Sequence, residues 1–409
     1  MPGSRRFVIV GASLAGAKAA ETLRMEGFDG EIVLVGEEEV RPYERPPLSK
    51  EYLRGEKSFD DLAVHGEDFY DENEIELLTS TKVTSIDVST SKIELVSGKQ
   101  LAYDQLLLAT GALPRRLEVP GVDLEGVHYL RSLSDADALR QAISTSLPLV
   151  VIGAGWIGTE VAASARQLGA DVALVETAPL PLDRVLGARV GEIYRNLHAS
   201  HGVDLHFGVG VDSLRGADRV EEVRLSDGTL LPAGVVVVGV GVLPRIELAR
   251  HANLEIDNGI LVDEHLSTSA PGVFAAGDVA DVFYPLYGTH IRLEHWSAAL
   301  DQGVVAARNM LGMPEAYDKV PYFFSDQYDF GMEYRGWAPS FDEVLLRGEY
   351  EQGEFIAFWL HQGKVLAAMN VNIWDQGDAL ETLVRSKTPV EAEKLVDTSV
   401  DLTTLTTLP

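Results

Sequence analysis

The chain has 409 residues, 46% of them hydrophobic, and its 34 Lys and Arg against 63 Asp and Glu give a formal charge of −29. This length allows two or three domains with buried cores, and the acidic balance argues against nucleic acid or an anionic membrane surface as partners. Because the sequence contains no cysteine, we exclude disulfides, thiolate-bound iron–sulfur clusters, zinc–thiolate sites and redox-active dithiols, and we expect no metal site.

The first predicted element is the strand RRFVIV, which leads directly into a glycine turn rather than into a signal-peptide cleavage site. The longest apolar run, residues 235–242, is interrupted by glycine. It has the length of a strand, far short of the ~20 apolar residues that cross a bilayer. We therefore expect a cytoplasmic protein that does not bind a membrane.

The glycine turn after this strand is GASLAG, residues 11–16, and it opens the helical run AKAAETLRMEG. Gly11 permits a tight turn, Gly16 allows close packing, and the helix N-terminus offers N–H groups to a pyrophosphate. Glu37 ends the next strand about 20 residues later, where a carboxylate can bind a ribose. Ser13 stands where glycine is more usual, and its Cβ would narrow the approach of the phosphates. Alone, the motif leaves open a strand-to-helix turn without a ligand.

A segment rich in Val, Ile and Thr follows, from residue 79 to 108, and ends in ATGALP, residues 109–114. The pattern predicts a strand meander that returns to the first sheet.

A second glycine turn, GAGWIG at residues 153–158, again follows an apolar strand and has all three glycines. Glu176 ends the next strand, where its carboxylate can accept hydrogen bonds from both ribose hydroxyls and repel a 2′-phosphate. Thr177 supplies no cation for such a phosphate, so the sequence favours NADH over NADPH. Arg184 either contacts the adenosine end or is a solvated loop residue.

The strand VVVVGVGVLP closes this second unit and returns the chain to the first, so the second unit is inserted within the first. Further on, the stretch GVFAAGDVA contains the pair Gly277 and Asp278. A carboxylate at a strand end can accept a hydrogen bond from a ribityl chain, although Asp278 alone could instead cap a helix. After about Pro321, short alternating strands and a helical tail predict a separate α+β domain.

The stretches ATGALP and STSAPGVFAAGDVA resemble the flavin motifs of two-dinucleotide-binding flavoproteins. With RPPLSKEYL, GAGWIGTEVA, EHWSAALDQGVVAARNML and SDQYD, the whole chain resembles the FAD-dependent NAD(H) ferredoxin reductases of oxygenase systems, the family of putidaredoxin, rubredoxin and biphenyl-dioxygenase reductases. The resemblance implies an α/β fold with two Rossmann-like dinucleotide-binding domains, as in glutathione reductase, and a C-terminal α+β domain. The predicted boundaries are 1–112 and 245–320 for the discontinuous FAD-binding domain, 113–244 for the NAD-binding domain and 321–409 for the C-terminal domain.

The resemblance also implies which residues form the site. In that family the lysine of PPLSK, here Lys50, lies beside the isoalloxazine, and the glutamate of the second glycine motif, here Glu160, pairs with it near the nicotinamide. Both are the predicted catalytic residues, because a lysine can stabilise negative charge on a reduced flavin and a carboxylate limits the cost of burying it. The alternatives are a solvated lysine and an exposed helix residue.

The remaining predicted cofactor residues fall into two groups. Those for FAD are Gly11, Ser13, Leu14, Ala15, Glu37, Arg45, Val83, Ala109, Gly111, Arg131, Gly277, Asp278 and Trp296, besides Lys50. Those for the nicotinamide cofactor are Gly153, Gly155, Trp156, Ile157, Gly158, Glu176, Arg184 and Gly241, besides Glu160. For Arg131 the alternative is a solvated loop position, and for Trp296 it is a core aromatic position.

The implied function passes electrons from NADH through non-covalent FAD, one at a time, to a small iron–sulfur protein, a ferredoxin or rubredoxin, that feeds a cytochrome P450 or a Rieske oxygenase. The lack of cysteine excludes the thiol-dependent mechanisms of glutathione reductase, thioredoxin reductase and water-forming NADH oxidase. Two alternatives are an NADH-dependent reductase of a quinone, ferric chelate or monodehydroascorbate, and a redox-sensing flavoprotein resembling apoptosis-inducing factor.

We expect a monomer or a weak homodimer. A chain this acidic needs a local basic patch to hold an acidic ferredoxin, and Arg292, Arg308 and Lys319 are the predicted patch.

Overall fold

The computed structural model describes residues 5–405. Its strands, in chain order, are β1 Arg6–Val10, β2 Glu31–Val35, β3 Ile75–Leu78, β4 Val83–Asp87, β5 Lys92–Leu95, β6 Gln100–Ala102, β7 Gln105–Leu108, β8 Ala112–Pro114, β9 Val127–His128, β10 Leu149–Ile152, β11 Val172–Glu176, β12 Asp204–Phe207, β13 Val211–Arg215, β14 Glu222–Leu225, β15 Leu230–Pro232, β16 Val235–Val238, β17 Val242–Pro244, β18 Ile260–Val262, β19 Val273–Ala275, β20 Ala280–Tyr284, β21 Thr289–Arg292, β22 Tyr322–Gln327, β23 Phe330–Gly336, β24 Glu343–Glu349, β25 Glu354–His361 and β26 Lys364–Val371. Its α-helices are α1 Leu14–Met25, α2 Phe59–Leu62, α3 Phe69–Glu72, α4 Leu133–Ile143, α5 Trp156–Gln167, α6 Asp183–Ser200, α7 Glu247–His251, α8 Trp296–Met310, α9 Gly377–Ser386 and α10 Ala392–Val396.

The chain divides into two compact units, each built from three segments. The first unit comprises Met1–Arg45, Ser58–Leu113 and Leu243–Pro321, and the second comprises Pro46–Lys57, Pro114–Val242 and Tyr322–Pro409. Pro46–Lys57 lies inside the predicted FAD-binding boundaries but clusters with the second unit, because its 3-10 turn packs on α4 and α5. The division into three domains stays a prediction.

The first unit is built on a parallel sheet in the order β19-β7-β1-β2-β3. Strand β1 pairs with β2 on one side and with β7 on the other. Its residues from Phe7 to Val10 are buried, as expected for a central parallel strand with both faces covered. Helix α1 connects β1 to β2 and packs against α8, so the carboxyl end of β1 and the start of α1 form one turn. Two antiparallel sheets, β4-β5-β6 and β18-β20-β21, complete this unit.

The second unit contains another parallel sheet, in the order β12-β11-β10-β16-β9, with α5 connecting β10 to β11. An antiparallel sheet of five strands, β22-β23-β26-β25-β24, belongs to the same unit. One hydrophobic cluster combines Trp359 and Met369 of this sheet with Leu186 and Tyr194 of α6. Among residues 5–405, the helices are all too short or too polar to cross a membrane.

Candidate active site

A cavity of about 310 Å³ opens in the second unit where the second glycine motif joins β10 to α5. Six of the predicted nicotinamide-site residues line it: Gly153, Gly155, Trp156, Glu176, Arg184 and Gly241. Ile157 and Gly158 are not among the described residues that line the cavity. Ile157 is 44% exposed, and Gly158 packs against the backbone of Gly153. Glu160, farther along α5, lies outside the lining as well.

The glycines of this turn serve different purposes. Gly153 has a φ of +101°, and a Cβ added there would lie 2.4 Å from the carbonyl oxygen of Gly239. A Cβ at Gly155 or Gly241 would meet no atom of residues 5–405 within 4 Å. The fold therefore requires Gly153, and the φ of +98° at Gly241 also favours glycine there. The open space beside Gly155 and Gly241 fits a bound dinucleotide.

Glu176 holds a fixed carboxylate at the wall of this cavity. Its Oε2 accepts a hydrogen bond from the N–H of Ala154 at 2.8 Å, and its Oε1 accepts from the N–H of Ala178 at 2.9 Å and from the Thr177 hydroxyl at 2.8 Å. Burial opposes ionisation, but these hydrogen bonds together outweigh it and hold the pKa of Glu176 below its ordinary value. The site thus presents an ionised acceptor where a ribose is expected.

The first glycine turn, in the first unit, has the same close packing. A Cβ added at Gly11 would lie 2.0 Å from the carbonyl oxygen of Ala109, and one at Gly16 would lie 2.0 Å from that of Gly11. Ser13 is the N-cap of α1 with φ −122° and ψ −160°, an extended conformation that any residue adopts. Within the described part of the chain its side chain does not cap the helix, so the first N–H groups of α1 can bind a pyrophosphate.

The first glycine turn, the stretch that contains Gly277 and helix α8 meet at Ala15, the second residue of α1. A Cβ added at Gly277 would lie 3.3 Å from the Cβ of Ala15, and one at Gly303 of α8 would lie 2.4 Å from the Ala15 carbonyl oxygen. The N–H of Gly277 also donates to Oε1 of Gln302 at 2.8 Å. These contacts place Gly277, the residue before Asp278, at the first turn of α1. A helix N-terminus and a carboxylate on the next residue fit the pyrophosphate and ribityl hydroxyls of FAD.

Glu37 is paired with Arg245, a residue that the sequence analysis missed. Both carboxylate oxygens lie 2.8 Å from Nη2 of Arg245. The backbone of Arg245 is held in turn by the Thr110 hydroxyl, which donates to its carbonyl at 2.9 Å, and by its own N–H, which donates to the Gly111 carbonyl at 2.9 Å. Arg245 lies 208 positions from Glu37, and no local pattern marked it.

The other predicted FAD residues are placed as follows. Leu14 begins α1 and Val83 begins β4, and both are buried. Arg45 ion-pairs with Glu38 at 2.6 Å. Arg131 lies in the second unit, where its N–H donates to Asp135 at the start of α4. Trp296 is the first residue of α8.

The structure brings Lys50 and Glu160 together in the second unit. Nζ of Lys50 lies 3.3 Å from Oε1 of Glu160, and their side chains are only 4% and 5% exposed. The Ser325 hydroxyl donates to Oε1 at 2.7 Å and the Ser49 hydroxyl donates to Oε2 at 2.5 Å. The ring of Phe324 lies 5.1 Å from Lys50 Nζ. A solvated lysine and an exposed glutamate are thus both ruled out, and each charge depends on the other in a buried setting.

The predicted basic patch is wrong for two of its three residues. The Arg292 side chain is 8% exposed and ion-paired with Glu294 at 2.7 Å. Arg308 lies 2.8 Å from both Glu26 and Glu315. Carboxylates far outnumber basic side chains in this chain, and these two arginines are already neutralised by acidic neighbours. Lys319 is exposed.

Comparison with known proteins agrees with this geometry. Residues 5–303 match the pyridine nucleotide-disulphide oxidoreductase family, and residues 322–406 match the reductase C-terminal family. Rhodocoxin reductase of Rhodococcus erythropolis is 39% identical over 97% of this chain and 93% of its own length. Putidaredoxin reductase of Pseudomonas putida is 38% identical over 98% of this chain and 97% of its own.

Among solved structures, the covalent putidaredoxin reductase–putidaredoxin complex matches with a TM-score of 0.95 and 38% identity, over 98% of both chains. The predicted fold class and family are therefore confirmed. The chain belongs to the pyridine nucleotide-disulphide oxidoreductase family, among the ferredoxin–NAD reductases of oxygenase systems, and is an oxidoreductase that uses FAD and NAD(H).

Proposed function

We propose that this enzyme is an NADH:ferredoxin oxidoreductase. It delivers electrons one at a time to a small iron–sulfur protein, a ferredoxin or rubredoxin, that feeds a cytochrome P450 or a Rieske oxygenase. The observation that carries the proposal is the buried Lys50–Glu160 pair in a chain that contains no cysteine. Without a thiol to receive the electrons, they leave directly to an external acceptor. Bound FAD supplies the conversion between two-electron and one-electron transfer.

We assign NADH to the cavity at the second glycine turn. The N–H groups at the start of α5 would bind the pyrophosphate, and Glu176 would accept hydrogen bonds from the ribose hydroxyls. The same carboxylate would repel the 2′-phosphate of NADPH. Arg184, also on the cavity wall, would contact the adenosine end.

FAD is assigned to the first glycine turn. The start of α1 at Ser13 and Leu14 would bind its pyrophosphate, Glu37 its ribose and Asp278 its ribityl chain. The pairing of Glu37 with Arg245 leaves lone pairs on both carboxylate oxygens, so the acceptor role remains available.

Lys50 is assigned to hold a positive charge beside the flavin, and Glu160 to keep that lysine charged and in place. Both side chains are buried, so water does not screen the charge on Nζ. Neither residue acts as an acid or base. Their contribution is orientation and electrostatic stabilisation of negative charge on the bound cofactor.

The test is steady-state turnover with NADH and an oxidised ferredoxin, compared with ferricyanide, a quinone, a ferric chelate and monodehydroascorbate. We expect ferredoxin to give the highest kcat/KM among the physiological acceptors. Fast turnover with a quinone and none with a panel of ferredoxins and rubredoxins would contradict the proposal. NADH binding that changes assembly without turnover would favour the redox-sensing alternative.

We also propose a cytoplasmic location, since the expected electron donor, NADH, is supplied there. Fractionation of cells that express the full chain tests this, and recovery of the enzyme outside the cytoplasmic fraction would refute it.

A further inference from the structure

A row of buried polar side chains leads from Glu160 across strand β22 to helix α6. Ser325 and Gln327 lie two positions apart on β22 and therefore on the same face, where a core strand would normally carry apolar residues. Both are 1% exposed, and His198 of α6 is fully buried. Burying polar groups is unfavourable unless each finds a partner, so this row needs a physical reason.

Each member of the row is hydrogen-bonded to the next. The Ser325 hydroxyl donates to Glu160 at 2.7 Å, and Nε2 of Gln327 donates to the Ser325 oxygen at 3.3 Å. Oε1 of Gln327 lies 3.0 Å from Nε2 of His198, and the Tyr328 hydroxyl lies 3.4 Å from Nδ1 of His198. The contacts join residues of α5, β22 and α6 within the second unit.

The hydrogen bonds of the row share one consistent direction. The Glu160 carboxylate, paired with Lys50, accepts, and the Ser325 hydroxyl donates to it. The Ser325 oxygen then accepts from the Gln327 amide, which turns the Gln327 oxygen toward His198. His198 must therefore carry its proton on Nε2, and its Nδ1 is left to accept from Tyr328.

The row conveys orientation rather than protons. The amide of Gln327 cannot pass a proton on without leaving its stable form. Burial lowers the pKa of His198 to about 4, more than its hydrogen bond to Gln327 raises it, while nearby His201 lowers it further. His198 is therefore neutral at pH 7. Burial raises the pKa of Asp326, beyond the opposite influence of Lys50, and Glu160 raises it further.

We propose that His198 is a positioning residue for the Lys50–Glu160 pair: it holds the Gln327 amide in the one orientation that makes Ser325 donate to the Glu160 carboxylate. This inference rests on the proposed function, because it explains how the charged pair assigned to the flavin is kept in place. Loss of the histidine donor would let the amide turn over. Ser325 could then donate to Gln327 instead of Glu160, and the carboxylate would lose one of its donors.

The variants that test this are His198→Leu, which removes the donor, and His198→Gln, whose amide can still donate to Gln327. The matched control is Tyr194→Phe, one turn earlier on α6, since the buried Tyr194 hydroxyl has no hydrogen-bond partner among the described residues. In anaerobic stopped-flow experiments, we expect His198→Leu to reduce the limiting rate of FAD reduction by NADH about three- to tenfold, the effect of one lost hydrogen bond. In this variant the acidic limb of the pH profile of the FAD reduction rate should move to higher pH, because the Glu160 carboxylate has lost one of its hydrogen-bond donors. His198→Gln and Tyr194→Phe should stay within about twofold of the unmodified enzyme.

A second measurement needs neither a variant nor turnover. NMR of the ¹⁵N-histidine-labelled holoenzyme should show a neutral His198 with its proton on Nε2 between pH 6 and 8. A proton on Nδ1, or equal reduction rates in His198→Leu and the unmodified enzyme, would overturn the inference. Failure of NADH to reduce FAD in the unmodified enzyme would instead overturn the proposed function. In that case the tautomer of His198 would still test the hydrogen-bond directions assigned to the row.

Discussion

The two glycine turns of this enzyme are built alike but differ at the second glycine. In both, the first and third glycines pack against backbone: an added Cβ would lie 2.0 Å from a carbonyl oxygen at Gly11 and Gly16, and 2.4 and 1.9 Å from one at Gly153 and Gly158. The middle position is Ser13 in the first turn and Gly155 in the second, and both have extended backbones. The first and third glycines are therefore required by the fold, whereas the middle residue is available for contact with a ligand.

The ribose carboxylates differ as well. Glu37 is held by the guanidinium of Arg245, whereas Glu176 is held by the N–H groups of Ala154 and Ala178 and by the Thr177 hydroxyl. A cation offsets the negative charge of the first carboxylate, and neutral donors leave the charge of the second in place. This difference explains why discrimination against a 2′-phosphate is expected at the second site.

The largest expected effect separates the outer from the middle glycine of the second turn. Gly158→Ala should destabilise the second unit by about 3 kcal/mol or more, because its Cβ would meet the backbone of Gly153. Gly155→Ala, the matched control, should change stability by less than about 0.5 kcal/mol and weaken NADH binding about tenfold by narrowing the phosphate site. Thermal unfolding and NADH titration measure the two effects, and equal destabilisation by both variants would break the distinction.

The next prediction concerns the second carboxylate. Glu176→Arg should weaken the binding of NADH by about 1–3 kcal/mol, because it removes the acceptor for the ribose hydroxyls. It should also improve the relative use of NADPH, because the arginine supplies a cation for the 2′-phosphate. Glu37→Gln, at the corresponding position of the first turn, should leave the NADH/NADPH ratio unchanged and affect FAD retention. The measurement is kcat/KM for both cofactors, and parallel changes in the two values would rule out the assigned role of Glu176.

The pH dependence of stability sharpens the same point. The pKa of Glu176 is lower in the folded protein than in the unfolded chain, so its stabilisation is complete at neutral pH and is lost as the pH falls through the lowered value. Allowing for solvent screening, we expect a contribution below about 1 kcal/mol. As the pH is lowered from neutral into the range where carboxylates titrate, the thermal midpoint of Glu176→Gln should fall less steeply than that of the unmodified enzyme. A steeper fall in that variant would have the wrong sign.

The smallest expected effect is at Ser13. The extended backbone accommodates serine without strain, so Ser13→Gly should change FAD affinity by less than about threefold, and the added flexibility should lower stability by at most about 1 kcal/mol. FAD release during dialysis and thermal unfolding measure both quantities. A much tighter FAD complex in Ser13→Gly would mean that the serine Cβ does narrow the phosphate site.

Sequence reasoning recovered what local backbone chemistry dictates. Gly11 and Gly153 were identified from their motifs because the reason for each glycine lies within a few residues or in a predictable neighbouring strand. The contact of Lys50 with Glu160 followed from family resemblance, since the two residues are 110 positions apart and no spacing rule connects them. Arg245 could not be found this way, because its role depends on a partner from a distant strand.

The same limit explains the wrong docking patch. Charges along a sequence do not reveal which are already paired, and Arg308 meets Glu26 only because α8 packs on the end of α1. Ser325 and Gln327 both lie within the SDQYD motif. Their role could not be predicted, because it depends on which face of β22 they share and on the buried His198 opposite.

The central claim is that electrons pass from NADH through FAD directly to a one-electron iron–sulfur acceptor. The most direct measurement is anaerobic double-mixing stopped-flow absorbance: the holoenzyme is reduced with NADH and then mixed with oxidised ferredoxin. The account predicts rapid loss of the oxidised flavin band with NADH, followed by its recovery as the ferredoxin is reduced, with two ferredoxins reduced per NADH. A flavin that NADH reduces but that no ferredoxin or rubredoxin reoxidises, while a quinone does so readily, would contradict it.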